Sequence, residues 1–284
     1  EMCIRDRLIS VRKSRKRMRK VRFPCNFFQL GPYSSPNTLS GLALKSVLSY
    51  AVRPALFDMK PITKLASTQL PDGSILELWE RDGFHFLLRD GMQTASSFSH
   101  GSNETAAAIA TAPVKRANQP SFLLDGLGLG FTLFSLMDQV QREKASFIVA
   151  EPCRELVDWH QEFLDGERPG FLHDPRVSVE FSTALQVARK QQKSFHAILC
   201  RSTHDRMNLS VAEASDYFAA LKQGGLLVIT VARPDTRLVR TLQKAGFEVN
   251  TEAVPASHKG KKTTFHTVIL GKKGRFVPFS ARQS

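Results

Sequence analysis

From Pro120 onward the chain alternates short apolar runs with longer amphipathic segments, and this alternation constrains its fold more than any other feature. The runs fall at 122–124, 146–150, 177–181, 195–200 and 226–231, and helical candidates fill the intervals at 130–142, 153–164, 183–191, 210–223 and 234–245. Parallel strands need crossover connections, and runs that are apolar on both alternating faces need cover above and below. The pattern therefore predicts an α/β fold with a doubly wound, mostly parallel Rossmann-like sheet and helices on both sides. Gly246 closes the 234–245 helix, and the apolar segments Phe247-Glu248-Val249 and Phe265 to Leu270 follow it, joined by a loop carrying Lys259, Lys261 and Lys262. They predict a C-terminal antiparallel hairpin where an ordinary dinucleotide fold has another strand-helix unit.

Ahead of this region the pattern differs. Ile75 to Trp79 and Phe84 to Leu88 read as two strands about Asp82-Gly83, and Asp90-Gly91 turns the chain again. Asp-Gly between aromatic and branched residues is a strong hairpin signal. A small β-rich module over roughly 62–98 is expected, followed by a helix at 103–112 that Pro113 ends. The expected organisation is a basic leader at 1–60, the β module and its helix at 62–118, the sheet domain at 119–274 and a tail at 275–284.

The net charge of +14 in 284 residues would suggest a nucleic-acid or membrane surface if it were evenly spread. It is not: residues 1–60 hold 13 Lys and Arg against 3 Asp and Glu, and the remainder is close to balance. The run from Arg12 to Arg22 has too few apolar residues to form a buried face and reads as a solvated or non-native leader. Its first residues, Glu1 to Arg7, resemble a translated sequencing adapter, which would put the biological start at Met18, Met59 or another codon. Nucleic acid is not an expected partner of the folded region. The four cysteines, Cys3, Cys25, Cys153 and Cys200, form no close pairs, so neither a disulfide framework nor a metal site is expected and a reducing, cytoplasmic setting fits. No apolar run reaches the length of a membrane span.

The chemistry is expected at the ends of the first strands. Asp125-Gly126-Leu127-Gly128-Leu129-Gly130 lies between a strand and a helix, where alternating glycines let the backbone turn sharply and approach a ligand. Glu151 ends the next strand, 21 residues after Gly130, and the crossover topology brings its carboxylate beside the loop, where it can accept hydrogen bonds from two ribose hydroxyls. Asp125, Gly126, Gly128, Gly130 and Glu151 are thus the cofactor-binding candidates. Ser182 joins them as a base contact after the third strand, with helix capping as its plainer role. For the loop and Glu151 the plainer roles are a structural turn and a surface acid.

With these residues in place, the span from about Leu65 to Leu270 resembles the spermidine/spermine synthase family of the S-adenosylmethionine-dependent methyltransferase superfamily. Leu88-Arg89-Asp90-Gly91-Met92-Gln93 is similar to the family's Asp-Gly-x-Gln segment, the glycine loop to its Gly-Gly-Gly-Asp-Gly, and Glu151-Pro152 to its ribose contact. Asp174-Pro175-Arg176-Val177 and Leu221-Lys222-Gln223-Gly224-Gly225 match further segments in order and spacing. The resemblance implies a methyltransferase-type sheet, S-adenosylmethionine or decarboxylated S-adenosylmethionine as the nucleoside cofactor, and a homodimer. It also implies aminopropyl transfer to an amine, for which carboxylates hold the cationic acceptor and assist its deprotonation.

The chain departs from the family where those carboxylates stand. The loop acid is Leu129, the family's Asp-Ser-Thr-Asp reads Arg201-Ser202-Thr203-His204, and its Tyr-His-Glu reads Ser102-Asn103-Glu104. Gln93, Glu104, Arg201 and Ser202 are therefore the acceptor-site candidates, with His204 and Asp205 the candidates for proton transfer. A guanidinium at 201 would repel a diammonium substrate. The reading is a spermidine synthase-like protein that binds such a nucleoside and transfers a methyl or aminopropyl group. The alternatives are a noncatalytic scaffold or partner subunit that keeps the fold, and a nucleic-acid methyltransferase, although no Asn-Pro-Pro-Tyr or Asp-Pro-Pro-Tyr follows the fourth core strand.

Overall fold

The computed structural model describes residues 61–114, 117–166, 168–202, 207–257 and 264–274. The first four strands, β1 (Thr63–Gln69), β2 (Ile75–Arg81), β3 (Phe84–Arg89) and β4 (Met92–Ser96), form an antiparallel meander. Both Asp-Gly pairs make two-residue hairpin loops. Asp82 and Gly83 have φ of 55° and 77°, and Asp90 and Gly91 have 49° and 75°. Those are the left-handed angles whose twist matches the flanking strands. The sequence reading missed β1, whose residues Thr-Lys-Leu-Ala-Ser-Thr-Gln lack apolar alternation because the strand lies at the sheet edge and is mostly exposed.

Helix α1 (Gly101–Thr111) leads into a seven-stranded sheet. Its remaining elements run β5 (Ser121–Asp125), α2 (Phe131–Gln139), β6 (Ser146–Ala150), α3 (Arg154–Glu162), β7 (Val177–Glu180), α4 (Ala184–Lys190), β8 (Phe195–Arg201), α5 (Val211–Ala220), β9 (Leu221–Val231), α6 (Thr236–Lys244), β10 (Glu248–Pro255) and β11 (Phe265–Lys272). The spatial order is β10-β11-β9-β8-β5-β6-β7. Strands β5 to β9 pair in parallel, and the terminal hairpin joins antiparallel through β11 on β9. Helix α5 ends at Ala220, three residues before the expected end, because Leu221 already pairs with Phe195 as the start of β9.

The two faces of the sheet follow the strand period. Phe122, Leu124, Ala197, Leu199 and Val228 pack with α1 and α2, whereas Leu123, Ile198, Cys200, Leu227 and Ile229 pack with α4, α5 and α6. Side chains two apart share a face, so an unbroken apolar run supplies both layers. A third cluster joins Leu76, Leu78 and Leu87 of the meander to Leu129, Leu156, Trp159 and Leu164. Leu129, on the glycine loop, is thus committed to the contact between the meander and α3, and Trp159 packs there as an ordinary buried indole. Helices α4 and α5 open with capping boxes, Thr183 with Gln186 and Ser210 with Glu213, which supply partners for otherwise unpaired N–H groups.

Among the described residues no helix is long and apolar enough to cross a membrane, and Cys153 and Cys200 are buried free thiols. No group of three or more His, Cys, Asp or Glu residues is arranged to hold a metal ion among those residues.

Candidate functional site

The parallel strands converge at their carboxyl ends, where an open α/β sheet forms its crevice. Asp125, Glu151 and Arg201 stand at or just beyond the tips of β5, β6 and β8. A cleft of about 320 Å3 lies between these tips, α1 and the meander, and it is lined by the whole of Asp125 to Leu129, by Phe131 and Thr132, by Glu151 to Cys153, and by His100, Asn103, Thr183 and Arg201. Small-molecule sites occupy roughly 300–1,000 Å3, so the volume suits a nucleoside-sized ligand.

The loop depends on its glycines. Gly126 and Gly130 have φ of 86° and 83°, a region where a β-carbon is strained. A β-carbon on Gly130 would also lie 2.5 Å from the ring of Phe134. Gly130 is the N-cap of α2 without a side-chain cap, and Phe131 and Thr132 of that first turn line the cleft.

Glu151 is buried, at 6% exposure, and it faces the loop. Its Oε2 accepts the N–H of Leu127 at 2.9 Å, and its Oε1 accepts the N–H of Cys153 at 3.0 Å. Burial raises its pKa, and the two backbone hydrogen bonds oppose that shift. A carboxylate offers about four acceptor positions, so one on each oxygen remains for a ligand. Asp125 lies behind the loop, bonded to the Cys200 thiol and the Ala184 N–H, and its pKa is pushed up to about 6 by burial and by the charge of Glu151. Burial raises the Cys200 thiol and the Tyr217 phenol as well, so this polar string beneath the cleft stays protonated beyond Asp125.

The acceptor-site candidates divide. Gln93, Arg201 and Ser202 line a second cleft of about 660 Å3 together with Asn208, Thr230 and His266. Arg201 lines both clefts. Its Nη1 donates to Asn103 Oδ1 at 3.1 Å, and Asn103 Nδ2 donates to Thr132 Oγ1 at 2.9 Å. Glu104 is in neither lining; its Oε1 lies 3.1 Å from His100 Nε2, one helical turn back. Ser182 is likewise outside the linings, and the neighbouring Thr183 both lines the first cleft and caps α4. His204 and Asp205 lie outside the described residues.

Sequence reading missed His100, Asn103 and Thr132. The His100 ring stacks on Phe131 at 4.2 Å, with its Nδ1 2.8 Å from Ser97 O, and both rings face the first cleft. A His-x-x-x-Glu pair at helical spacing was the available signal. Buried His160 bonds Gly128 O through Nε2 at 2.8 Å, which buttresses the loop from behind.

The fold and this crevice form an α/β architecture like that of solved spermidine synthases. The sequence matches no protein-family model and no curated protein. The structure is similar to a spermidine synthase from Thermotoga maritima, with a TM-score of 0.59 and 16% identity over 78% of this chain and 77% of that one. A spermidine synthase in complex with the transition-state analogue AdoDATO gives the same values. A probable spermidine synthase from Corynebacterium glutamicum matches with a TM-score of 0.53 and 18% identity over 76% of this chain and 81% of that one.

Proposed function

We propose that the first cleft binds S-adenosylmethionine or a close relative and that the protein is a group transferase whose acceptor is not a free diamine. The observation that carries this reading is the Leu127 N–H bond to Glu151 Oε2 at 2.9 Å, which holds a carboxylate with spare acceptor capacity against a glycine loop. Ribose hydroxyls are the natural donors for that capacity, and the uncapped start of α2 favours polar or anionic ligand atoms. The residues present therefore fit the nucleoside, which would supply an electrophilic carbon beside a sulfonium.

The chain's own contribution is to place that carbon and to select the acceptor. Glu151 and the loop backbone would fix the sugar, and His100 and Phe131 give a flat apolar wall. Leu129 and Arg201 occupy the positions where the resembling family has acids. A diammonium acceptor would meet a guanidinium there in place of carboxylates, at a site with little water to screen the repulsion. Aminopropyl transfer to a diamine is the function least compatible with these residues.

Calorimetric titration with S-adenosylmethionine, decarboxylated S-adenosylmethionine and methylthioadenosine tests the reading. Saturable heat with at least one is expected, and no heat at millimolar ligand would overturn it. A noncatalytic subunit is the second reading. It is favoured by Leu129, whose 5% exposure reflects its place in the apolar cluster with Leu76 and Leu156. It predicts nucleoside binding without turnover on any acceptor.

A further inference from the structure

Among the described residues Arg201 is a cation without a counterion. It is partly buried at the end of β8, and its one hydrogen-bond partner among the described residues is the neutral Asn103 Oδ1, at 3.1 Å. No carboxylate among the described residues pairs with it. A guanidinium carries five N–H donors in a planar fork, so four have no partner among the described residues. Burial lowers its pKa.

The first cleft also carries Asp125 and Glu151, but the second is arranged for an anion. Arg201 lines both clefts, and no Asp or Glu lines the second one among the described residues. Its other polar walls are neutral: Gln93, Ser202, Asn208, Thr230 and His266. The His266 ring is held by Ser102 Oγ at 2.9 Å from its Nδ1, and its pKa is lowered by burial and then by the charge of Arg201, so it is a neutral hydrogen-bonding group near pH 7. Asn103 is pinned in turn by Thr132 at 2.9 Å, which keeps its amide oxygen on the guanidinium.

A cation withdrawn from water is costly until an anion with matching geometry pairs with it. The planar two-oxygen group that matches a guanidinium fork is a carboxylate. We propose that Arg201 is a carboxylate-binding residue and that the ligand engaged at the junction of the two clefts is an acid. This rests on the nucleoside reading and refines it, because the carboxylate has two available sources: the amino-acid end of S-adenosylmethionine reaching from the first cleft, or an acidic acceptor in the second. The diamine of the resembling family is replaced by a ligand of opposite charge in either case.

The decarboxylated nucleoside differs from S-adenosylmethionine by this one group, so the affinity ratio of the pair in the unmodified protein reads the contact without any variant. Calorimetry would be run with both, with methylthioadenosine, and with succinate in the presence of methylthioadenosine, on the wild-type chain and on Arg201→Gln. A preference of about 10-fold or more for the carboxylated nucleoside, lost in Arg201→Gln while methylthioadenosine binds unchanged, supports the nucleoside as the source. Equal affinities with succinate binding that Arg201→Gln abolishes support the acceptor. Equal affinities and no succinate binding overturn the inference while leaving the nucleoside reading intact. If no nucleoside binds, that reading fails by itself, and succinate titrated alone still decides the role of Arg201 by whether Arg201→Gln removes its binding.

Discussion

The guanidinium of Arg201 and the side-chain amide of Asn103, 98 residues apart in sequence, meet at 3.1 Å where β8 ends against α1. The bond ties the helix after the meander to the tip of the sheet, and it leaves a positive charge facing a neutral carbonyl. Replacing Asn103 with Asp supplies a counterion that the described residues lack, and Thr132 can turn its hydroxyl to donate to the new carboxylate. An ion pair exceeds the charged-to-neutral bond it replaces by about 1 kcal/mol, so Asn103→Asp should raise the midpoint of thermal unfolding by about 2–4 °C. The same variant should weaken any carboxylate ligand at Arg201, and calorimetry reads that loss alongside the melt.

Gly130 faces two penalties on substitution. Its φ of 83° is unfavourable for any β-carbon, and that carbon would fall 2.5 Å from the Phe134 ring. Left-handed strain and overpacking each cost on the order of 1–3 kcal/mol, so Gly130→Ala should destabilise the protein by about 3 kcal/mol in urea unfolding. Gly73, with φ of 85° and nothing within 4 Å of the added carbon, is the matched control, and Gly73→Ala should cost about 1 kcal/mol. Equal losses at the two positions would show that the Phe134 contact is immaterial.

Asp125 gives stability a pH dependence of unusual sign for a carboxylate. Its folded pKa of about 6 stands above the unfolded value near 3.8, so between these values the folded state binds more protons than the unfolded chain. Its contribution is then fully favourable below about pH 3.8, declines as pH rises and is lost above about 6. Two pH units correspond to at most about 3 kcal/mol. Asp125→Asn should flatten this component: the variant's melting temperature relative to wild type should be higher at pH 8 than at pH 4.5. A difference that does not vary with pH would contradict the assignment.

The sheet was legible because four of the five parallel strands are apolar on both faces, β7 alternates as an edge strand does, and each connection between parallel strands is long enough for a helix. Asp125 to Gly130 and Glu151 were legible for the same reason, since the crossover fixes where a strand tip and the preceding loop must meet, and the Leu127 to Glu151 bond is that meeting. Edge strand β1 was not legible: it is polar and mostly exposed, and its pairing with β2 leaves no periodic trace. The environment of Arg201 was hidden too, since its partner Asn103 and the neutral His266 come from elements remote in sequence. Composition identifies an arginine where an acid was expected, but only the packed structure reveals that nothing charged answers it among the described residues. Thr183 taking the cleft position and the cap together, beside Ser182, is a one-residue shift of the kind that strand ends conceal.

Titration of S-adenosylmethionine into the wild-type chain and into Glu151→Gln tests the central claim most directly, with a melt of each to verify folding. Loss of a charge-assisted hydrogen-bond pair to the ribose should weaken binding by about 10–100-fold in the variant. Binding of equal strength in the two proteins would contradict the account, because the carboxylate beside the glycine loop would then have no part in holding the nucleoside.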